Sequence, residues 1–195
     1  MTDLIIVGHT LDPSGTARRL QAMLRNKGRD AVVIDPFKEE RKNSKLFRKT
    51  LLSMKKSDSF IEQIEKEASS LEIDTIYTFS YGAIAILSTK IKAKKYVLIA
   101  PPLGKIHHKP LERIFFFLPG LREVRSKVFQ NKLFAALFML EEEKVLVVSS
   151  LGDGRVDYQN LGELSFVVSS IHDFKNVLHG DFMRNYDVVA RIAEF

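Results

Sequence analysis

Six short segments of the chain are rich in apolar residues that follow one another rather than alternate with polar ones, and between them lie segments whose apolar residues recur at helical spacing. An uninterrupted apolar run of this kind is typical of a strand buried on both faces, as in a parallel sheet covered by helices. The predicted strands are Leu4–Val7, Ala31–Ile34, Asp74–Phe79, Tyr96–Ala100, Lys144–Ser149 and Leu164–Ser169. The pattern therefore predicts an α/β fold, with a mostly parallel sheet of about six strands and helices on both faces.

The segments between these strands supply the helices. Either Ser14 or Thr16 can cap the first of them, because a serine or threonine oxygen accepts a hydrogen bond from a backbone N–H of the first turn. The predicted helices cover Ser14–Gly28, Ile61–Leu71, Ala83–Leu87 and Tyr186–Phe195. A chain of 195 residues suits one domain, so we expect a single unit over residues 1–195 with a cap inserted at about residues 105–140.

The amino-acid composition excludes several kinds of functional site. The chain has no cysteine, which excludes disulfides, cysteine-based zinc sites and a cysteine nucleophile. Thirty basic against 24 acidic residues give a net charge of +6, and the basic excess is concentrated between Lys38 and Lys56, where Glu39 and Glu40 are the only acids. This stretch predicts a solvated face or contact with an anionic surface or an acidic carrier. We find no clear nucleic-acid-binding motif.

The sequence shows neither a membrane anchor nor a secretion signal. No apolar run approaches the roughly 20 residues that span a bilayer, and the apolar stretch at the N-terminus is too short for a signal peptide and has no basic residue before it. We therefore expect a cytoplasmic protein without a transmembrane segment.

Polar residues follow several of the predicted strands. In open parallel sheets, ligands bind beyond the carboxyl ends of the strands, so these residues are the candidates for chemistry. They are His9 and Thr10 after the first strand, Asp35 after the second, Ser80 after the third, Asp153 or Asp157 after the fifth, and His172 or His179 after the sixth. A serine, an acid and a histidine are thus predicted at one edge of the sheet.

Ser80 is the sharpest of these candidates. It lies between a strand and a helix of small residues, and Gly82 and Ala83 allow a tight turn to close there. A serine hydroxyl needs an imidazole to take its proton, and the imidazole needs a carboxylate to fix its tautomer. The backbone N–H of Tyr81, at the start of the helix, can donate to an oxyanion.

This arrangement resembles the α/β-hydrolase fold superfamily, and in particular small serine hydrolases or esterases with a reduced cap. The family's G-x-S-x-G motif reads Thr78-Phe79-Ser80-Tyr81-Gly82 here, with a threonine at the first glycine position. The segment VLVVSSLGDGRVD is similar to the family's acid loop, and HGDF before a terminal helix is similar to its histidine loop.

The resemblance implies a Ser-His-Asp triad that needs no cofactor and no metal. Its members are Ser80 as nucleophile, Asp153 as acid with Asp157 as the alternative, and His179 as base with His172 as the alternative; the oxyanion donors are Tyr81 and either Thr10 or His9. The implied reaction is cleavage of a carboxylic ester or thioester, free or carrier-bound. The apolar runs IFFFLPGL and KLFAALFML in the predicted cap favour an apolar acyl group.

Two other functions remain open at this stage. The segment LIIVGHTLDPSGTARRL is similar to the first strand and phosphate-binding loop of flavodoxin-like, flavin-dependent quinone oxidoreductases. A non-catalytic α/β domain that binds an anionic partner through its basic face is the other alternative, favoured by the threonine at position 78.

Overall fold

In a computed structural model of the chain, the structure describes residues 1–8, 13–36, 38, 57–106, 126–150, 153, 156–157, 170–173, 182 and 185–195. The strands among these residues are β1 (Thr2–Ile6), β2 (Ala31–Ile34), β3 (Ile73–Phe79), β4 (Lys95–Ile99), β5 (Lys105–Ile106), β6 (Val145–Ser149), β7 (Val156–Asp157) and β8 (Ser170–Asp173). The helices among them are α1 (Pro13–Asn26), α2 (Ser57–Ala68), α3 (Lys127–Phe138) and α4 (Tyr186–Glu194), with 3-10 helices at Ser80–Leu87 and Glu142–Lys144.

Six of the strands form one parallel sheet in the order β2-β1-β3-β4-β6-β8. The chain runs outward from β1 to β2 and then returns to β3 on the other side of β1. The order reverses at this point, and in open parallel sheets ligands bind beyond the carboxyl ends of the strands at such a reversal. The short strands β5 and β7 form a separate antiparallel pair, with Lys105 opposite Asp157 and Ile106 opposite Val156.

The sheet is buried on both faces, which explains why its strands are continuously apolar. Alternate side chains of a strand point to opposite faces, so Leu4 and Ile6 of β1 join one core cluster, whereas Ile5 and Val7 join the other. The first cluster is completed by α2, α3 and the 3-10 helix at Ser80–Leu87, and the second by α1 and α4. The predicted α/β fold with helices on both faces is confirmed.

An ion pair lies at the end of the sheet opposite the strands' carboxyl ends. Arg29 contacts both carboxylate oxygens of Asp3, with Nε 2.7 Å from Oδ2 and Nη2 2.8 Å from Oδ1, and Nη2 also donates to Thr75 Oγ1 at 2.9 Å. The Asp3 side chain is only 3% exposed. Burial raises the pKa of the Asp3 carboxyl despite the guanidinium beside it. The pair joins β1 and β3 to the turn before β2.

Several local expectations need correction. Helix α1 begins at Pro13, so Ser14 and Thr16 lie within the helix rather than at its N-cap position. Helix α2 ends at Ala68, before Leu71. The AIAIL stretch is 3-10 rather than α-helical. The predicted strand at residues 164–169 lies outside the described residues, and the last described strand begins at Ser170.

The predicted cap and the basic stretch are described only in part. Residues 107–125 of the cap and 39–56 of the basic stretch lie outside the described residues, so both stay predictions. Residues 127–138 form α3, whose Leu133 and Leu137 are buried in the core beside the sheet. No helix in the described part of the chain is long and apolar enough to cross a membrane.

Candidate active site

Ser80 occupies a strained turn at the end of β3. The strand is extended through Phe79, at φ −115° and ψ 127°, and the 3-10 helix starts at the next residue. Ser80 has a φ of +50°, in the left-handed region that non-glycine residues seldom adopt. A residue held in that backbone conformation costs about 1–3 kcal/mol of folding free energy, and the conformation persists only where the surrounding structure imposes it. The predicted sharp strand-turn-helix at Ser80 is therefore present in the fold.

Two glycines hold the end of β1 against this turn. A Cβ built on Gly8 lies 1.7 Å from the carbonyl oxygen of Phe79 and 2.1 Å from the nitrogen of Gly82, so no side chain fits there. A Cβ on Gly82 meets the carbonyl oxygen of Ile6 at 3.1 Å. The sequence pointed to Gly82 but not to the role of Gly8, although a glycine directly after a buried strand is a signal of close backbone approach.

The side chain of Tyr81 fixes the first residue after Ser80. Tyr81 is buried, with its ring centroid 5.3 Å from that of Phe60 at an interplanar angle of 73° and 6.3 Å from that of Phe129 at 20°. Edge-to-face and stacked aromatic pairs of this kind add to the energy of burial. Helices α2 and α3 thus fix the residue whose backbone N–H is the predicted oxyanion donor.

Thr78, at the position of the family's first glycine, lies fully inside the sheet. It pairs with Ile6 of β1 and Leu98 of β4, and its side chain is 0% exposed. Its Oγ1 has no hydrogen-bond partner among the described residues. The threonine is therefore accommodated without disrupting the strand, at the cost of a buried hydroxyl that lacks a partner.

The loop after β6 holds a buried carboxylate. Asp153 is 2% exposed, and its Oδ1 accepts a hydrogen bond from the N–H of Val156 at 2.8 Å. Its own N–H donates to the carbonyl of Ser150 at 3.2 Å. Asp157 is half-buried and lies on β7. Asp153 is thus the more enclosed of the two candidate acids.

The strands that precede Ser80 and Asp153 are separated by one other strand. Strands β3 and β6 flank β4, so their ends are about 10 Å apart at the usual spacing of neighbouring strands. That separation is too large for a direct hydrogen bond between the ends, and it suits an imidazole inserted between a hydroxyl and a carboxylate.

Of the three candidate histidines, the structure describes only the backbone of His172. His172 does not follow the last strand, as the sequence suggested, but lies within β8 with its backbone opposite Val148, because Ser170–Asp173 pair with β6. His179, His9 and Thr10 lie outside the described residues. The structure thus brings Ser80, Tyr81 and the two aspartates to the carboxyl edge of the sheet, and the triad and the second oxyanion donor stay predictions. No cluster of three metal-ligating side chains occurs among the described residues.

A cavity of about 400 Å³ lies away from this edge. Its lining includes Ile73, the first residue of β3, together with Glu65 and Lys90. Glu65 accepts hydrogen bonds from Ser88 Oγ at 2.6 Å and from Lys90 Nζ at 2.8 Å. Since Ile73 and Ser80 lie at opposite ends of β3, this cavity is separate from the candidate active site.

Comparison with solved structures identifies the fold. An α/β-hydrolase fold protein from Burkholderia ambifaria superposes with a TM-score of 0.66 at 11% identity, covering 100% of this chain and 90% of that one. The meta-cleavage product hydrolase from Pseudomonas fluorescens gives a TM-score of 0.63 at 15% identity over 100% and 90% of the two chains. Est1E from Butyrivibrio proteoclasticus gives 0.60 at 18% identity over 100% and 86%.

No family profile matches the sequence, and no curated protein matches it. The likeness to solved structures, the parallel sheet and the strained serine turn nevertheless agree. The chain has the α/β-hydrolase fold.

Proposed function

We propose that the protein is a serine hydrolase that cleaves a carboxylic ester or thioester with Ser80 as the nucleophile. The observation that carries this proposal is the φ of +50° at Ser80, between a buried parallel strand and the following helix. In this fold a sharp turn of this kind presents the serine Oγ at the top of the sheet. The solved structures of similar fold, which include a meta-cleavage product hydrolase, also favour a hydrolase.

In the proposed mechanism, Ser80 Oγ attacks the substrate carbonyl carbon while His179 takes the hydroxyl proton. The carbonyl oxygen becomes an oxyanion that accepts hydrogen bonds from the backbone N–H groups of Tyr81 and Thr10. When the tetrahedral intermediate collapses, the imidazolium gives its proton to the departing alcohol or thiol, which leaves an acyl group on Ser80. The same imidazole deprotonates a water molecule that attacks the acyl-enzyme, and it returns the proton to Ser80 Oγ as the carboxylic acid is released.

Asp153 is the proposed partner of His179. A buried carboxylate that accepts a hydrogen bond from the imidazole fixes its tautomer and stabilises its cation during both half-reactions. The burial of Asp153 and its hydrogen bond from Val156 favour it over the more exposed Asp157. His172 stays the alternative base and His9 the alternative oxyanion donor.

We propose an apolar or aromatic acyl group as the substrate class. Est1E of similar fold has been solved with bound ferulic acid, an aromatic carboxylic acid of the kind that ester cleavage releases. The apolar residues 114–121 of this chain are the proposed source of pocket-lining side chains. In the second apolar run, Leu133 and Leu137 support the core, so they are poor candidates for that lining.

A fluorophosphonate probe tests the proposal directly, because it forms a covalent bond only with an activated serine. We expect the wild-type protein to be labelled on Ser80 and Ser80→Ala to remain unlabelled. Ser69→Ala is the matched control, since Ser69 is exposed and lies before β3; it should label at the wild-type rate. Labelling that persists in Ser80→Ala contradicts the proposed nucleophile, and a folded wild-type protein that resists the probe favours the non-catalytic alternative.

A further inference from the structure

Helix α3 contacts two neighbouring parts of the structure: Phe129 contacts the turn at Ser80, and Gln130 contacts the segment after β4. Ser126 caps the helix, its Oγ accepting from the N–H of Phe129 at 3.1 Å. The Phe129 ring stacks on Tyr81, directly after Ser80. The neighbouring Gln130 donates from Nε2 to the carbonyl oxygen of Gly104 at 2.9 Å. One turn of one helix therefore touches both the serine turn and the segment after β4.

Gly104 in turn presses on the loop that carries the buried acid. A Cβ on Gly104 lies 1.9 Å from the carbonyl oxygen of Asp157, so the two backbones are in direct contact. The residues after Gly104 form β5 and pair with β7 at Val156 and Asp157. Val156 then donates its N–H to Asp153 Oδ1 at 2.8 Å. A continuous series of short contacts thus runs from Gln130 to the carboxylate of Asp153.

We propose that Gln130 is a positioning residue that sets the carboxylate of Asp153 relative to Ser80. The inference rests on the proposed function for its catalytic consequence. The two groups come from different loops, and their relative position is only as accurate as the contacts that support each loop. Helix α3 supplies a common support, because Phe129 braces the serine turn while Gln130 braces the acid loop through Gly104 and β7.

Two substitutions remove the donor without shortening the side chain. Gln130→Met has a similar length and no N–H, and Gln130→Glu places an ionised carboxylate against the Gly104 carbonyl. We expect each to lower kcat for a p-nitrophenyl ester by about 10- to 100-fold, with KM changed less than about twofold, because a supporting hydrogen bond of this kind acts on geometry. Asn131→Ala changes the adjacent exposed residue and should leave kcat unchanged.

The pH profile separates positioning from general damage to the helix. A protonated glutamic acid can donate to the Gly104 carbonyl, whereas methionine cannot. The ratio of Gln130→Glu to wild-type kcat should therefore rise as the pH falls toward about 4, and the Gln130→Met ratio should stay flat. Thermal melts of all variants identify any that fail to fold.

A double-mutant cycle and amide exchange decide the outcome. If Gln130 acts through Asp153, Gln130→Met should cost little further activity in an Asp153→Asn background, and additive losses overturn the inference. Amide exchange over residues 153–157 should be faster in Gln130→Met than in wild type or Asn131→Ala. If amide exchange at these residues is the same in Gln130→Met as in wild type, the inference is wrong, even when the protein is active and reacts with the fluorophosphonate probe. Faster exchange in a protein without hydrolase activity supports the positioning and overturns only the proposed function.

Discussion

The contact between Gly8 and the serine turn gives the sharpest test of how the active site is built. In Gly8→Ala, the new methyl group is placed 1.7 Å from the carbonyl oxygen of Phe79 and 2.1 Å from the nitrogen of Gly82. Side-chain carbons almost never approach such atoms closer than 3.0 Å, so the end of β1 and the turn must separate by about 1.3 Å. Both obstacles are backbone atoms, and no side-chain rotation can relieve the clash.

A displacement of this size should reduce both the activity and the stability of the protein. Misplacing a reacting group by about 1 Å costs on the order of 100-fold in rate, so we expect fluorophosphonate labelling of Ser80 to slow by at least about that factor. The overpacking itself should lower the unfolding free energy by about 1–3 kcal/mol. Circular dichroism and thermal melts show whether the variant is folded.

Gly28→Ala is the matched control for this substitution. Gly28 has a φ of +75° just after α1, and no atom of the described residues lies within 4 Å of a Cβ built there. Alanine at Gly28 should therefore cost about 1–2 kcal/mol of backbone strain and leave the labelling rate unchanged. Folded Gly8→Ala that labels within about threefold of wild type refutes the argument, as does a comparable loss of labelling in Gly28→Ala.

Four other substitutions test three separate parts of the structure. Arg29→Met leaves the buried carboxylate of Asp3 without its partner and should lower the unfolding free energy by about 3 kcal/mol at pH 7. Because burial already raises the pKa of Asp3, the loss should shrink as the pH falls and the carboxyl becomes protonated, and chemical denaturation at pH 7 and pH 4 measures the difference. Thr78→Val removes a buried hydroxyl that has no hydrogen-bond partner in the described part of the chain and should raise the unfolding free energy by about 1 kcal/mol; a lower melting temperature contradicts this. Asp153→Asn should lower kcat by about 10³- to 10⁴-fold while Asp157→Asn lowers it only a few-fold, and the reverse order in ester hydrolysis identifies Asp157 as the acid.

The strands could be predicted from the sequence because a strand that is buried on both faces needs apolar side chains at successive positions. Ala31–Ile34 is found at its predicted bounds, and Asp74–Phe79 differs from the observed β3 by one residue. The exposed or charged residues at strand ends, such as Lys95 at the start of β4, carry no hydrophobic signal, so the bounds shift there. Ser80 could be found for a related reason, since it stands between a buried strand and a run of small residues.

The support of the site could not be predicted, because it depends on contacts between distant segments. Strands β5 and β7 have two residues each, too few for any periodicity to appear. The approach of Gly104 to Asp157 follows from the register of those two strands. The hydrogen bond from Gln130 to Gly104 joins residues 26 positions apart, and nothing in the local sequence of α3 indicates it. The same limit applies to the ion pair between Asp3 and Arg29.

The order of the strands does not by itself select a hydrolase. Flavodoxin-like proteins share the sequence of neighbours β2-β1-β3-β4 and bind their flavin at the same switch point between the first and third strands. What differs is the end of β3, where this chain holds a serine at a positive φ although the strain costs free energy. In the proposed hydrolase, this turn projects the hydroxyl of the nucleophile toward a substrate, and the flavin alternative gives the serine no comparable role. The strain at Ser80 therefore supports the proposed function, whereas the strand order supports only the fold.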